Sequence, residues 1–287
     1  MTVRAGVGAV FLLTDYGHAD EFAGVVRAVV SREAPSAQIV DLTHEVPPFD
    51  VRAGALTLVR CVGHLGPGVV VAVVDPGVGT HRRALAVELA SGGGADRRGP
   101  SHVVGPDNGL LPWAVDALGG PLRAVSLPSL GTFDGRDVFA PVAARLWRGD
   151  PLDSVGQPVE LDSLVRLPPA RLLVGDAMVE AEVLWVDRFG NAQLAAAPAD
   201  ASRAGLGPRV EVVLESGRFV PARLTSSYAE LGDDEIGVVE DANGMLALAC
   251  NRASAATVLG VTVGEMVGLR GGGHGTVIGR IQPGRNS

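Results

Sequence analysis

The sequence has little cysteine and no ordered set of histidines, and both shortages exclude classes of site. Its 287 residues include only two cysteines, Cys61 and Cys250, which lie far apart in apolar surroundings. They are predicted to be reduced core residues, which argues against a disulfide or a cysteine metal pair. The six histidines are scattered without ligand spacing, and no metal site is expected.

Basic charge and long apolar segments are also scarce. The net charge is −8 and no basic stripe is present, which argues against a nucleic-acid partner and is compatible with a cationic small molecule. No segment reaches the ~18 uninterrupted apolar residues that a membrane span needs. The apolar stretch at residues 7–13 is soon followed by an acid and favours a first strand over a signal peptide. We therefore expect a cytoplasmic protein without membrane contact.

What is present is a chain rich enough in apolar residues, at 47%, to build two cores. Residues 1–165 alternate Val-rich runs with segments of helical periodicity, which predicts an α/β domain with a Rossmann-like parallel sheet. Asp50 is a predicted N-cap. The pattern predicts strands at residues 9–14, 38–42, 68–74, 85–89 and 123–126, and helices at residues 21–34, 51–62, 112–118 and 137–148. A glycine-rich loop is predicted at residues 92–100.

The pattern of apolar and polar residues changes after a proline-containing linker predicted at residues 166–175. Residues 176–287 contain short apolar runs separated by Gly, Asp and Asn, which predicts an all-β, barrel-like domain with a frayed tail at 280–287. Residues 215–218 carry a hairpin turn signal. The apolar runs lie at residues 178–186, 209–214, 218–224, 235–240, 245–250, 257–259 and 265–269.

Polar clusters follow the predicted strands of the first domain. Four of them contain the acids Asp15, Asp75, Asp107 and Asp134, each close to a glycine. Any one cluster alone is typical of a turn, and Asp137 is a predicted helix N-cap. Because ligands of open α/β sheets bind at the carboxyl ends of strands, the four together favour one shared pocket.

Asp75 is the most informative of these acids, because it ends a buried strand. A carboxylate in that position needs a compensating partner, and Arg82 and Arg83 follow across a loop that contains Gly77 and Gly79. We expect one arginine to face inward and the other outward. Spacing alone leaves two interpretations open, a functional pair or a structural ion pair.

Six segments in order resemble the adenosine-forming S-adenosyl-L-methionine (SAM) hydrolases. This family is also called the SAM hydroxide adenosyltransferases and is related to the bacterial fluorinase and chlorinase. The resemblance extends from about residue 9 to about residue 270 and rests on the segments TDYGHADEFAG, DLTHEVPPFDVRAGA, VDPGVGTHRRALAVE, GPDNGLL, TFDGRDVFAP and DRFGNAQ.

The resemblance implies an α/β domain followed by a barrel-like domain, assembled as a homotrimer. SAM would lie between the first domain of one subunit and the second domain of its neighbour, and no cofactor or metal would be needed. Asp15 would hold the ribose hydroxyls, Asp20 would face the methionine amino group, and Phe49 would pack on the ribose and adenine.

The resemblance also assigns residues of the second domain. Asp187, Phe189 and Asn191 would hold the methionine end and the adenine, and the backbone of Asn251, Arg252 and Ala253 would meet the adenine edge. Ala242 and Asn243 occupy positions that contact the methionine carboxylate in relatives, but their types differ from the family pattern.

Three residues carry the chemistry that the resemblance implies. Asp75 occupies a position where halogenating relatives have Tyr, and it would orient water toward C5′ of SAM, while Arg82 fixes it. The hydrolases have His where this chain has Asp134, so a second carboxylate flanks Arg82. Either one carboxyl is protonated, or Asp134 turns away, or Asp134 acts as the base with His81 or His18 compensating. Gly135 matches the hydrolases and the chlorinase, whereas the fluorinase has Ser there.

The leading hypothesis is hydrolysis of SAM to adenosine and L-methionine. The alternatives are a chlorinase-like 5′-halogenase, against which Asp75 argues, and a non-catalytic SAM- or adenosine-binding protein that lost its chemistry through Asp134. A generic α/β nucleotide-binding domain is a further alternative, although neither a P-loop nor a Gly-x-Gly-x-x-Gly fingerprint follows a strand.

Overall fold

The chain divides between two prolines, Pro168 and Pro169, into two units. The computed structural model describes residues 8–90, 99–129, 131–233 and 235–271. Most of the predicted loop at 92–100 and the whole predicted tail at 280–287 lie outside these residues. Within the described ranges, no helix combines the length and apolarity needed to cross a bilayer.

The first unit alternates strands with helices. Its strands are β1 (Ala9–Thr14), β2 (Gln38–Thr43), β3 (Gly68–Val73), β4 (Ala84–Leu89), β5 (Pro100–Pro106), β6 (Pro121–Leu127) and β7 (Gln157–Val159). Its α-helices are α1 (Phe22–Glu33), α2 (Val51–Val62), α3 (Pro112–Ala117) and α4 (Ala140–Trp147), the last preceded by a π-helical turn at Gly135–Phe139.

These strands form one sheet in the order β2-β1-β3-β5-β4-β6-β7. The four strands β2, β1, β3 and β5 are parallel, whereas β4 runs antiparallel to both of its neighbours and β7 is antiparallel to β6. The predicted α/β class is confirmed. The reversal of β4 was not predicted, because an apolar run carries no information about strand direction.

Helices cover both faces of the sheet, which is why its central strands are apolar throughout. On one face, α1 and α4 pack on β1 and β3 around a core that includes Phe139 and Trp147. On the other face, α2 packs against α3 and β1. The predicted N-cap is confirmed, because the Asp50 carboxylate accepts a hydrogen bond of 2.9 Å from the Ala53 amide.

The register of β1 and β3 positions the acids that follow them. Thr14, the last residue of β1, pairs with Val73, the last residue of β3. Parallel strands in register end at the same edge of the sheet, so Asp15 and Asp75 emerge side by side.

The second unit is a barrel of short strands. Its strands are β8 (Leu172–Gly175), β9 (Met178–Val186), β10 (Ala192–Leu194), β11 (Arg209–Leu214), β12 (Phe219–Thr225), β13 (Ile236–Glu240), β14 (Leu246–Cys250) and β15 (Met266–Gly271). Seven of them close a ring in the order β9-β15-β11-β12-β13-β14-β10, with β10 pairing back onto β9 and β8 added beside β9. Closure removes the exposed strand edges of an open sheet. The predicted barrel-like class is confirmed.

Two local predictions are wrong and one is confirmed. The second unit contains a short helix α5 (Pro198–Arg203) and a second one, α6 (Ala255–Leu259). The apolar run at 257–259 therefore lies in a helix and is not a strand. Ser254 caps α6, because its hydroxyl accepts a hydrogen bond of 3.1 Å from the Thr257 amide. Asp137 is not an N-cap, because its own amide donates to the Phe133 carbonyl and places it inside the π-helical turn. The predicted hairpin at 215–218 joins β11 to β12, with the Leu214 amide donating to Arg218 at 3.0 Å.

Candidate functional site

A cavity of about 640 Å³ opens at the carboxyl ends of β1 and β3 in the first unit. This volume is in the range of small-molecule sites. Its walls combine carboxylates, aromatic rings and backbone, drawn from the segments after β1 and β3 and from the loop before the π-helical turn. The lining residues are Asp15, Tyr16, Asp20, Phe22, Pro48, Phe49, Val73, Asp75, Val78, Thr132, Phe133, Asp134, Gly135 and Arg136.

One guanidinium holds two of the cavity carboxylates. Arg82 donates from Nε to Asp75 Oδ1 at 2.9 Å and from Nη2 to the second oxygen of the same carboxylate. Nη2 also donates to Asp134 Oδ2 at 2.6 Å, and the Ser129 hydroxyl donates to that oxygen at 2.9 Å. Arg82 is therefore the inward-facing arginine, and it bridges two segments 52 residues apart in the chain.

This three-residue cluster of Asp75, Arg82 and Asp134 is withdrawn from solvent and unbalanced in charge. The three side chains are 6%, 9% and 1% exposed, respectively. Burial alone would lower the pKa of Arg82, but the hydrogen bonds and charges of the two carboxylates outweigh it and raise that pKa. With both carboxyls ionised, the cluster carries one net negative charge.

Two buried polar atoms of the cluster have no hydrogen-bond partner among the residues that the structure describes. They are Arg82 Nη1, a donor, and Asp134 Oδ1, an acceptor. A buried polar group without a partner is costly, and an unplaced water or ligand is one explanation for such a group. The two unpaired atoms are therefore consistent with a functional pair as well as with a structural ion pair.

Asp15 fixes the other acidic side of the cavity. Its Oδ2 accepts a hydrogen bond of 2.9 Å from the Phe49 amide, and Phe49 has a left-handed backbone with φ of 67°. Its ring is 72% exposed, which is unusual for phenylalanine. Burial raises the pKa of Asp15; the Phe49 hydrogen bond opposes this and the charge of Asp75 adds to it.

Four acidic clusters were predicted to share one pocket. The prediction is correct for the clusters of Asp15, Asp75 and Asp134 and wrong for that of Asp107. Asp107 does not line the cavity, because its carboxylate accepts from Arg83 Nε at 2.7 Å and from the Val165 amide at 2.9 Å. Arg83 continues to Ser163, donating to its hydroxyl at 2.9 Å. The Asp107–Arg83 pair therefore fastens the end of β5 to the chain near residue 163.

One of the three alternatives for Asp134 is decided by geometry. Asp134 does not turn away, since it contacts Arg82. Arg82 and Ser129 contact the Asp134 carboxylate, whereas His18 lies 3.8 Å from Glu45 and His81 is exposed. Protonation of one carboxyl and action of Asp134 as the base are the two alternatives left.

An aromatic wall was missed by the sequence analysis. Tyr16, Phe22 and Phe133 contact one another edge to face or tilted, with ring centroids 5.3–5.9 Å apart, and Arg136 lies 5.0 Å above the Phe133 ring. The signal was available for Tyr16 and Phe133, because each is next to a predicted site acid. Nothing in the sequence pointed to Ser129.

In the second unit, Asp187 is used to build a turn. Its Oδ1 accepts from the amides of Phe189 and Asn191 at 2.8 and 2.9 Å, and its Oδ2 accepts from the Asn191 side chain at 2.8 Å. Gly190 has φ of 83°, and a Cβ there would lie 2.1 Å from the Ser254 hydroxyl oxygen. The turn leaves the Phe189 ring 78% exposed.

The remaining predicted residues of the second unit lie on turns after β13 and β14. Asn243 is exposed, and its amide donates to Asp241 at 2.8 Å. Asn251 donates from its side chain to the Leu231 carbonyl at 3.2 Å. Arg252 and Ala253 are exposed, and Arg252 has a left-handed φ of 57°. Strained, exposed positions of this kind are common in ligand-binding loops.

Comparison with known proteins matches both units to one family. Residues 10–156 match the SAM hydroxide adenosyltransferase N-terminal domain, and residues 181–268 match the C-terminal domain of the same family. The chain belongs to the SAM hydroxide adenosyltransferase family. The predicted resemblance is confirmed.

Named relatives and a solved structure agree with this membership. An (R)-S-adenosyl-L-methionine hydrolase from Salinispora tropica is 44% identical over 90% of this chain and 96% of its own length. A fluorinase from Nocardia brasiliensis is 28% identical over 91% of this chain and 96% of its own length. The crystal structure of a protein from Thermotoga maritima has a TM-score of 0.81 and 31% identity, covering 91% of this chain and 99% of that one.

In the described ranges, no group of three or more His, Cys, Asp or Glu side chains is arranged to hold a metal ion. Of the cavity acids, Asp75 and Asp134 contact a guanidinium and Asp15 contacts a backbone amide.

Replacing Arg82 with Met is expected to destabilise the protein by about 3–5 kcal/mol at pH 7, because it strands two buried carboxylates without a counter-charge. Chemical denaturation at pH 7 measures this loss. Arg166→Met, which removes an exposed pair with Asp116, is the matched control and should change little. An equal loss for both variants would contradict the importance of the cluster.

Proposed function

We propose that the protein hydrolyses SAM to adenosine and L-methionine. The single observation that carries the proposal is the buried Asp75–Arg82 pair in the floor of the cavity, where the carboxylate is held in a fixed orientation by two hydrogen bonds. The relative named as a SAM hydrolase is 44% identical, and the fluorinase relative, at 28%, is more distant.

The reaction is an in-line displacement at the ribose C5′. Water donates one hydrogen bond to Asp75, its oxygen lone pair forms a bond to C5′, and the C5′–S bond breaks with its electron pair moving to sulfur. The sulfonium thereby becomes the neutral thioether of methionine. The attacking oxygen loses one proton, which Asp75 accepts and passes to solvent, and the products are adenosine and methionine.

The enzyme's contribution is alignment and proton acceptance. Alignment of two reactants supplies up to ~7–11 kcal/mol, and a general base adds roughly 10²–10⁴-fold. Because a sulfonium is a good leaving group without further activation, we propose that no metal or cofactor takes part. Arg82 keeps the two acids in place and offsets part of their charge.

The charge in the cavity favours water over a halide. Four acids, Asp15, Asp20, Asp75 and Asp134, line the cavity, against the two guanidinium groups of Arg82 and Arg136. Coulomb repulsion of an anion is strong beside the buried cluster, where little solvent screens it. The same excess of negative charge attracts the cationic substrate. This argues against a chlorinase-like 5′-halogenase, which has to hold an anion beside C5′.

We further propose that the substrate is held by residues of two subunits in a homotrimer. Asp15 would bind the ribose hydroxyls, Asp20 the methionine amino group, and the exposed Phe49 ring the adenine side. The turn of Asp187 and Asn191, with the Phe189 ring, would come from a neighbouring subunit. The residues of the loops after β13 and β14 that would complete it are Asn243, Asn251, Arg252 and Ala253. The feature that supports this placement is the exposed Phe189 on the turn that Asp187 builds, together with the family membership of the second unit.

Turnover in ¹⁸O-water tests the reaction, and Asp75→Asn tests the base. The wild type is expected to give adenosine carrying one ¹⁸O atom, detected by mass spectrometry. Asp75→Asn keeps the shape but removes the proton acceptor, so kcat should fall roughly 10²-fold or more. Asp116→Asn, outside the cavity, is the control and should keep full activity.

The same assay run with chloride or fluoride separates the alternatives. A 5′-halo-adenosine would establish a halogenase, and SAM bound but not consumed would establish a binding protein. Near-normal turnover by Asp75→Asn would remove the proposed base while leaving the reaction in place.

Asp134→His is expected to preserve or raise turnover. A neutral imidazole next to Arg82 removes the like-charge repulsion between the two carboxylates and leaves Asp75 as the sole partner acid. Steady-state kinetics over a range of pH measures this, with Asp134→Asn as the isosteric control. Complete loss of activity in Asp134→His would instead make Asp134 itself the proton acceptor.

The shared site is testable by subunit mixing. Asp75→Asn and Asn191→Ala chains would each be impaired alone, yet random mixed trimers should recover about a quarter of the wild-type sites, in which both halves are intact. Co-expression followed by turnover measurement reads this out, and light scattering gives the assembly mass in multiples of 29.4 kDa. A monomer of full activity would contradict the proposal.

A further inference from the structure

The hydroxyl of Tyr16 occupies the space that a side chain at residue 135 would fill. A Cβ built on Gly135 would lie 2.2 Å from Tyr16 Oη and 3.2 Å from both Tyr16 Cζ and Phe133 Cε2. The φ of Gly135 is not in the left-handed region, so the backbone does not require glycine. What requires it is the room taken by the tyrosine hydroxyl.

The Tyr16 ring is fixed from several sides. Phe133 contacts it edge to face with centroids 5.8 Å apart, and Phe22 packs tilted at 5.9 Å. Its amide donates to the Thr14 hydroxyl at 3.2 Å, and that hydroxyl is hydrogen-bonded to the buried His44 at 2.8 Å. The hydroxyl is therefore held at one point on the cavity wall.

The Tyr16 hydroxyl has no protein partner in the part of the chain that the structure describes, although Tyr16 lines the cavity together with its acids. Burial raises the pKa of Tyr16, and the charges of Asp15, Asp75 and Asp134 raise it further, against a smaller opposing effect of Arg82. The phenol consequently stays protonated and presents an O–H donor to the cavity.

We propose that the Tyr16 hydroxyl donates a hydrogen bond to the oxygen of the attacking water, from the space left open by Gly135. This inference rests on the proposed hydrolysis. Water has two lone pairs and two protons: Tyr16 holds one lone pair, Asp75 accepts one proton, and the second lone pair is free to form the bond to C5′. Tyr16 keeps its own proton throughout, and the departing proton goes to Asp75.

Two hydrogen bonds, one to Asp75 and one from Tyr16, fix the orientation of the water, whereas a single hydrogen bond does not. With Asp75 alone, the water could rotate about its single hydrogen bond. A donor on a different wall removes that freedom, which is the alignment that accelerates an in-line displacement. Tyr16 is then a catalytic residue, and Gly135 is required because it leaves the hydroxyl its place.

Tyr16→Phe is the direct test, because it removes one atom and leaves the ring packing intact. We expect kcat to fall roughly 10- to 100-fold, which is at or below the effect of removing one preorganised hydrogen-bond donor from an active site. The KM should stay within about twofold of the wild-type value. Adenosine affinity and the thermal midpoint should stay at wild-type values. Asp116→Asn is again the activity control.

The two proposals fail separately in this design. Absence of labelled adenosine from the wild type in ¹⁸O-water would overturn the proposed function. Labelled adenosine from the wild type together with unchanged kcat in Tyr16→Phe would overturn only the role of Tyr16. A rise in KM with unchanged kcat would also overturn it, because a group that acts only on the water does not hold the substrate.

A double-variant cycle with Gly135→Ala tests the geometry. In the wild-type background the new methyl group collides with the hydroxyl, so kcat should fall about tenfold or more, whereas in the Tyr16→Phe background it should change less than about threefold. Failure of Gly135→Ala to fold, with recovery of folding when Tyr16→Phe is added, would support the same contact. Equal effects of Gly135→Ala in both backgrounds would overturn it.

Discussion

The contact of one guanidinium with two carboxylates is the interaction on which the site depends. Arg82 reaches Asp75 seven residues away and Asp134 from a distant segment, and it thereby joins the end of β3 to the loop before the π-helical turn. The sheet supplies the rest, since in-register ends of β1 and β3 bring Asp15 beside Asp75. Without the arginine, the acids would repel one another and the cavity floor would have no fixed geometry.

The imbalance of that contact also fits the chemistry. Asp15, Asp20, Asp75 and Asp134 line the cavity with Arg136, and Arg82 contacts two of them, so the acids outnumber the arginines. In the proposed reaction, this excess of negative charge would attract the sulfonium cation and repel anions. Within the described ranges, Arg82 Nη1 and Asp134 Oδ1 also lack hydrogen-bond partners, so the hydrogen bonding of the cluster is incomplete beside the cavity.

Much of this could be predicted from the sequence, for identifiable reasons. The boundaries of α2 and β1 follow from periodicity and from a capping acid, and Arg82 was a candidate because a buried strand ending in Asp75 needs a counter-charge. The direction of the strands and the packing of the side chains could not be predicted. The reversal of β4, the diversion of Asp107 to Arg83 and the position of the Tyr16 hydroxyl all depend on contacts between segments far apart in the chain.

The π-helical turn connects these observations. It starts at Gly135, directly after Asp134. Asp134 is a buried acid that accepts from Arg82, and Gly135 has no side chain, which leaves room for the Tyr16 hydroxyl. Single π-helical turns are rare and are frequently found at functional sites. Here it begins the helix while its first residues still face the cavity. The second acid on Arg82 and the gap beside the tyrosine hydroxyl thus lie next to each other where this turn begins.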